Sequence, residues 1–238
     1  MRRAVVTVAT GRYRDGGRRL GKLLAEHGNC NYLLWTDPLP TDWPSHKEKP
    51  YAFKAWSLCE AARDYDLLIW ADAAMIPIRS LEPLWERIEQ DGYWMAVNGW
   101  TNYEWTADSA YVDLFPGVPI EEAREINKTF PQVVATSFGL NVRSEIGKEF
   151  LDEYYRLSNT NAFCGPWSNA NNPSAPYYGP GGDYTTAPCG PADVLGHRHD
   201  QTAASMLAWK LKMKLTQCPE VFSYPPGNER TLLLAVGA

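Results

Sequence analysis

AVVTVATGRYRDGGRRLGKLLAEHGNCNYLLWTD, residues 4–37, decides the fold. Residues 4–9 are a short β-branched run, TGRYRDGG forms a loop, and RRLGKLLAEHG carries apolar residues at helical spacing up to Gly28. NYLLWTD (31–37) reads as a second strand that ends on Asp37, before the Pro-rich turn PLPTDWP. A strand, a helix and a strand in so short a stretch predict a parallel sheet with ligand-binding loops at the C-terminal ends of its strands. Outward from there, KPYAFKAWSLCEAARDY (49–65) carries a helical stripe through Ala55, Leu58, Cys59 and Ala62, and DLLIWAD (66–72) is an apolar strand that ends on an acid. SLEPLWERIEQ (80–90) predicts a helix, YWMAVNGW (93–100) a strand, and FPQVVATSFGLNVRS (130–144) one or two strands. EIGKEFLDEYYRL (145–157) and HRHDQTAASMLAWKLKM (197–213) predict amphipathic helices, and KLTQCPEVFSYPP a last short strand.

The whole chain sets bounds on function. At 238 residues it is read as one α/β domain, 1–238, with a mostly parallel, Rossmann-like sheet flanked by helices. Its net charge of −5 lacks the overall basic field that carries non-specific nucleic-acid affinity. Arg2, Arg3, Arg12, Arg14, Arg18, Arg19 and Lys22 nevertheless crowd the N-terminus, either as a solvated helix face or as a phosphate-meeting cluster. No apolar run approaches the ~18 residues of a membrane span, and AVVTVAT is too short for a signal-peptide core. Five cysteines without CxxC spacing suggest neither a zinc ribbon nor a full disulfide framework, so the reading places the chain in a reducing, cytoplasmic compartment. Residues 158–195 turn to Asn, Pro, Gly, Tyr and Ser without periodicity, the composition of a long functional lid.

Asp72 ends a buried strand where α/β sheets bind ligands, and its carboxylate suits Mg2+ or Mn2+ beside a diphosphate; a turn or helix-cap role is the plainer alternative. His197 and His199 alternate in HRHDQ (197–201) just before a helix, so on an extended segment both face one site.

KPYAFK, LLIWADAAMIP, TSFGLNVRSEIGKEFLDEYY and HRHDQTAASMLAW, in this order after the strand–helix–strand start, resemble the GT-A glycosyltransferases over about residues 4–224. The Asp-Gln pair opening the late helix looks like that of the glycogenin-type retaining enzymes. The resemblance implies Asp72 as metal ligand, Lys49 or Lys54 facing the diphosphate or sugar, and Asp200 with Gln201 contacting the transferred sugar. Ala74 stands where the resembled Asp-x-Asp motif has its second acid. Either His197 or His199, the latter preferred, completes the ligand set with Asp72, or metal is weakly held or absent. In the resembled fold the loop Thr10-Gly11-Arg12-Tyr13 meets the nucleotide; Tyr13 would then stack on uracil and Asp37 would partner base or ribose, the equal alternative being an ordinary strand-to-helix turn and a plain turn residue before Pro38.

The expected activity is metal-assisted transfer of a hexosyl group from a nucleoside diphosphate sugar, a UDP-sugar, to a saccharide or other hydroxyl acceptor. Retention is favoured over inversion, for which Asp108, Asp183 or Asp200 would be the base. The alternatives are a non-catalytic nucleotide-sugar or carbohydrate-binding protein, a nucleotidyltransferase, and an enzyme whose acceptor is a modified base in phage-type DNA.

Overall fold

The computed structural model describes residues 1–176, 185–218 and 220–236. In chain order its main elements are β1 (Arg3–Val8), α1 (Arg14–His27), β2 (Asn31–Trp35), α2 (Ala52–Ala62), β3 (Leu67–Ala71), β4 (Met75–Pro77) and α3 (Glu82–Asp91). There follow β5 (Tyr93–Trp94), β6 (Ala96–Thr101), α4 (Tyr111–Leu114), α5 (Ile120–Asn127), β7 (Pro131–Val133), β8 (Ser137–Asn141) and α6 (Glu145–Ser158). The chain closes with β9 (Ser168–Asn169), β10 (Thr186–Ala187), α7 (His199–Lys210), β11 (Thr216–Gln217), β12 (Phe222–Ser223) and β13 (Leu233–Ala235).

A five-stranded sheet in the order β2-β1-β3-β8-β5 forms the centre. β1 runs parallel to β2 and β3, while β8 is antiparallel to both β3 and β5, so four of the five strands point one way. Side chains alternate across the sheet with the period-2 rule. Val5, Leu67, Ile69 and Ala71 pack with Leu20 and Leu24 of α1 and with Leu84, Trp85 and Ile88 of α3. Ala4, Val6, Val8, Leu68 and Trp70 face the other layer, with Leu58 of α2, Phe150 and Tyr154 of α6, and Met206 and Leu207 of α7. Strands covered on both faces explain the near-continuous apolar reading of LLIWA. The result is one mixed α/β domain with helices on both sides of a mostly parallel sheet.

Several elements differ from the sequence reading. YWMAVNGW splits at Met95: Trp94 pairs with Gly139 in the central sheet, whereas Ala96 and Val97 pair with Thr216 and Gln217 in a separate sheet of order β11-β6-β7. KLTQCPEVFSYPP yields two short strands, and β13 joins β12 and β4 in a third sheet. Residues 101–129, without an expected element, hold α4 and α5. The last long helix is not amphipathic. α7 is buried along His199, Asp200 and Thr202–Ala208, because it runs inside the helical layer, in contact with α6 and with β7.

The expected lid is partly pinned. Asn169 donates from Nδ2 to the carbonyls of Pro191 at 2.8 Å and Val194 at 2.9 Å, and β9 pairs with β10. Residues 177–184 of that stretch lie outside the described residues. All five cysteines are free. No helix among the described residues is long and apolar enough to cross a membrane.

The start of α6 is a tight junction in the sheet layer. Ser144 caps it by accepting from the Gly147 N–H at 3.1 Å, and a Cβ at Gly147 would overlap the Asn141 carbonyl. Backbone cannot yield as a flexible side chain does. Gly147→Ala is therefore expected to cost about 1–3 kcal/mol, read as a lower urea midpoint; an unchanged midpoint would refute this packing.

Candidate active site

The parallel strands bring three loops to one edge. β1 and β3 are in register, Val6 opposite Trp70, and the Thr7 hydroxyl donates to the Ala71 carbonyl at 2.8 Å. The loop Thr10–Tyr13 after β1, Asp37 after β2 and Asp72 after β3 consequently share the C-terminal edge. Asp37 braces the first of these loops. Its Oδ2 accepts from the Gly11 N–H at 2.7 Å and from Arg14 Nη2 at 2.7 Å, and these bonds, the Gly11 N–H foremost, hold its carboxyl below the ordinary value. Gly11 has a φ of +51°, which suits a residue without a Cβ. Tyr13 is exposed, with the Arg12 guanidinium over its ring at 5.0 Å and Arg12 Nη2 donating to its hydroxyl at 2.9 Å.

At the edge of β3 the central feature is Lys54. Its side chain is 3% exposed, and its Nζ lies 3.2 Å from Asp72 Oδ1 and 2.9 Å from Asp200 Oδ2. The Ala135 carbonyl accepts the third bond, at 2.9 Å. An ammonium has three protons, so all three are engaged. The rings of Tyr51 and Trp70 lie 5.2 and 5.3 Å from the charge. Burial alone lowers the Lys54 ammonium, but Asp200 and then Asp72 outweigh it and the net shift is upward, so the lysine stays charged. Burial pushes Asp200 up from its ordinary value, with Lys54 pulling against it. Asp200 also accepts from the Tyr154 hydroxyl at 3.3 Å. Asp72 Oδ1 accepts from Trp70 Nε1 at 2.7 Å, and the Asp72 side chain is 32% exposed, which makes it the open member of the cluster.

The other expected residues are placed differently. His197 is fully buried with both ring nitrogens in use: Nδ1 accepts from the Ala107 N–H at 3.2 Å and Nε2 donates to the Ala162 carbonyl at 3.1 Å. With both nitrogens so engaged, His197 has no free lone pair to offer a metal in this arrangement. His199 donates from Nδ1 to the Phe163 carbonyl at 2.9 Å, while its buried Nε2 has no hydrogen-bond partner among the described residues. Lys49 does not join the cluster; its Nζ donates to the Thr160 carbonyl at 2.8 Å and to Asn161 Oδ1 at 3.3 Å. Gln201 has both ends of its amide occupied, by the Ala135 N–H and by Gln132. Asp108 is tied to Arg124 by two bonds of 3.0 and 2.6 Å, and Asp183 lies outside the described residues. Trp70, Tyr154 and the Ala135 carbonyl complete the cluster without having been singled out from sequence. Trp70 alone left a trace there, since residues two apart on a strand share a face.

Two predictions follow from these partners. Lys54→Met leaves Asp200 buried without its cation and is expected to cost about 3–5 kcal/mol, with part recovered when Asp200→Asn is added; chemical denaturation of the single and double variants reads this. An undiminished midpoint for Lys54→Met would refute the pairing. Burial lowers His197 from 6.5 to about 4, against the bond to Ala162, and lowers His199 as well. Folded values below the unfolded one mean that this stability is complete above pH 6.5 and is lost as pH falls from 6.5 toward 4. His197 alone accounts for roughly 3 kcal/mol of it. Unfolding midpoints measured across that range should fall, and a ring-proton titration of His197 near 6.5 would contradict the assignment.

No protein-family model matches the sequence, and no curated protein matches it. Among solved structures, the chain is similar to a glycosyltransferase involved in the glycosylation of the major capsid of PBCV-1. That match has a TM-score of 0.53 and 9% identity over 99% of this chain and 92% of that one. The bifunctional glycosyltransferase WbbM, in its apo structure, aligns with a TM-score of 0.49 and 11% identity over all of this chain and 46% of that one. The first likeness is one of fold: this chain has the fold of a solved glycosyltransferase from end to end.

Proposed function

We propose that the protein is a GT-A-type glycosyltransferase that moves a hexosyl group from a nucleoside diphosphate sugar, a UDP-sugar, to a hydroxyl acceptor. The observation that carries this reading is the Lys54 ammonium fixed between Asp72 and Asp200 at the C-terminal edge of β3. That edge is where a parallel sheet receives a nucleotide, and the Thr10–Tyr13 loop shares it. The nucleoside would lie against Tyr13, with Asp37 holding the loop, and the diphosphate would point toward Asp72.

A divalent ion, Mg2+ or Mn2+, fits one residue of this edge. Among the described residues no group of three His, Cys, Asp or Glu side chains is arranged to hold a metal. Asp72 is a hard oxygen donor whose Oδ1 takes Trp70 and Lys54, which leaves Oδ2 for a cation. The cluster of one ammonium and two carboxylates also carries an excess negative charge that a cation would offset. Such an ion would have Asp72 as its one carboxylate from the protein and the donor's own phosphates as its other ligands, and when bound it would stabilise the departing diphosphate.

The residues of the chain contribute positioning. Lys54 fixes Asp72 and Asp200 relative to each other, and Gln201 orders the segment from Gln132 to Ala135 beside them. Among the described residues, retention of configuration agrees with the state of the carboxylates. Asp108 is bound by Arg124 and Asp200 by Lys54 and Tyr154, so neither is placed as a ready base. The bond from the sugar's anomeric carbon to the diphosphate breaks, the acceptor oxygen bonds to that carbon, and the acceptor proton passes to the departing diphosphate.

Asp72→Asn keeps the volume and an acceptor for Trp70 while removing the charge. Titration calorimetry of uridine diphosphate in Mn2+ is expected to show affinity reduced about tenfold or more. Affinity equal to that of the parent would remove Asp72 from the site.

A further inference from the structure

Beside the Lys54 cluster lies a cavity of about 370 Å3, lined by His46, Lys47, Glu48, Cys164, Thr185 and His199 among others. Its size is at the small end of ligand pockets, enough for a single sugar ring. Its lining mixes apolar surface with the polar groups of His46, Lys47, Glu48 and Thr185, a combination that suits a sugar ring. His199 is the residue that joins it to the site, because it precedes Asp200 in the first turn of α7.

His199 is built in an unusual way. It is 1% exposed, and its φ is +47°, a conformation that a side chain of this size adopts only when the surroundings impose it. The bond from Nδ1 to the Phe163 carbonyl fixes the proton on that nitrogen, so Nε2 carries a lone pair. That lone pair is buried with no partner among the described residues. Buried acceptors are almost always satisfied, and one that is not points to a donor that the described residues do not supply. Burial holds the ring below its ordinary value, so it serves as a neutral acceptor of a hydrogen bond and not as a base. The ring centroids of Tyr51 and Trp167 stand 5.7 and 4.8 Å away. Both rings are half-buried and offer apolar surface to the C–H face of a sugar.

We propose that this cavity is a sugar subsite in which a ligand hydroxyl donates to Nε2 of His199. The assignment rests on the glycosyltransferase reading, and the hydroxyl belongs either to the acceptor or to the sugar of the donor. His199 is a positioning contact that selects for a hydroxyl at one place on the ring.

The test uses the full chain labelled with [15N]histidine. Nuclear magnetic resonance follows the ring nitrogens during titration with a panel of methyl glycosides and, separately, with a panel of UDP-sugars. His199→Asn assigns the signal; asparagine tolerates a positive φ and its amide can replace the Nδ1 donor. The Nε2 resonance is expected to move from the unprotonated toward the hydrogen-bonded position, and His199→Asn to weaken the responsible ligand about tenfold. Movement with methyl glycosides identifies an acceptor subsite, and movement with UDP-sugars alone a donor-sugar subsite; either supports the assignment. A resonance that no member of either panel moves overturns it. If UDP-sugars still raise the melting temperature in that case, the glycosyltransferase reading stands and only the subsite falls. A response to Mg2+ or Mn2+ without sugar would make His199 a metal ligand and overturn the assignment as well.

Discussion

The site depends on one ion cluster in which a lysine from α2 is held by an acid after β3, an acid at the start of α7 and a backbone carbonyl before β8. A buried ammonium is stable only when its charge and all its protons are matched, and each of these partners comes from a different part of the chain. The cluster therefore ties together the sheet edge, the helical layer and the segment entering β8. It also fixes which group faces solvent. Asp200 is consumed inside, and Asp72 is left as the carboxylate at the opening.

A second set of contacts explains Lys49, His197 and His199. The short 3-10 turn Asn161–Phe163 is held by Lys49 through Thr160 and Asn161, by His197 through Ala162 and by His199 through Phe163. Asp113 accepts from the Asn161 N–H on the same turn. Residues that look like ligands for phosphate or metal thus form much of the clamp on one turn beside the site. The exception within the group is His199, which spends one nitrogen on the clamp and leaves the other without a partner among the described residues.

The layout of the sheet was legible because β1, α1, β2, α2 and β3 are locally determined: each carries its own period and its own stop signal. Asp72 was legible for the same reason, as an acid ending an apolar strand. The pairing of Lys54 with Asp200 was not, since 146 positions separate them and nothing local marks a lysine as buried. α7 was read as amphipathic, but its Ala, Ser and Thr are the small residues that let a helix be buried nearly all round. The division of residues 93–101 between two sheets follows from pairing with β8 and β11, which no window around Met95 contains.

The account stands on the edge of β3 being the place where the diphosphate of a nucleotide sugar binds. A crystal structure of the protein with uridine diphosphate and Mn2+, with the ion located by its anomalous scattering, tests this most directly. The account predicts the ion against the Asp72 carboxylate, the diphosphate beside it, the uracil near Tyr13, and Lys54 still bridging Asp72 and Asp200. Nucleotide bound away from the C-terminal edge of the sheet, or an ion coordinated without Asp72, would contradict it.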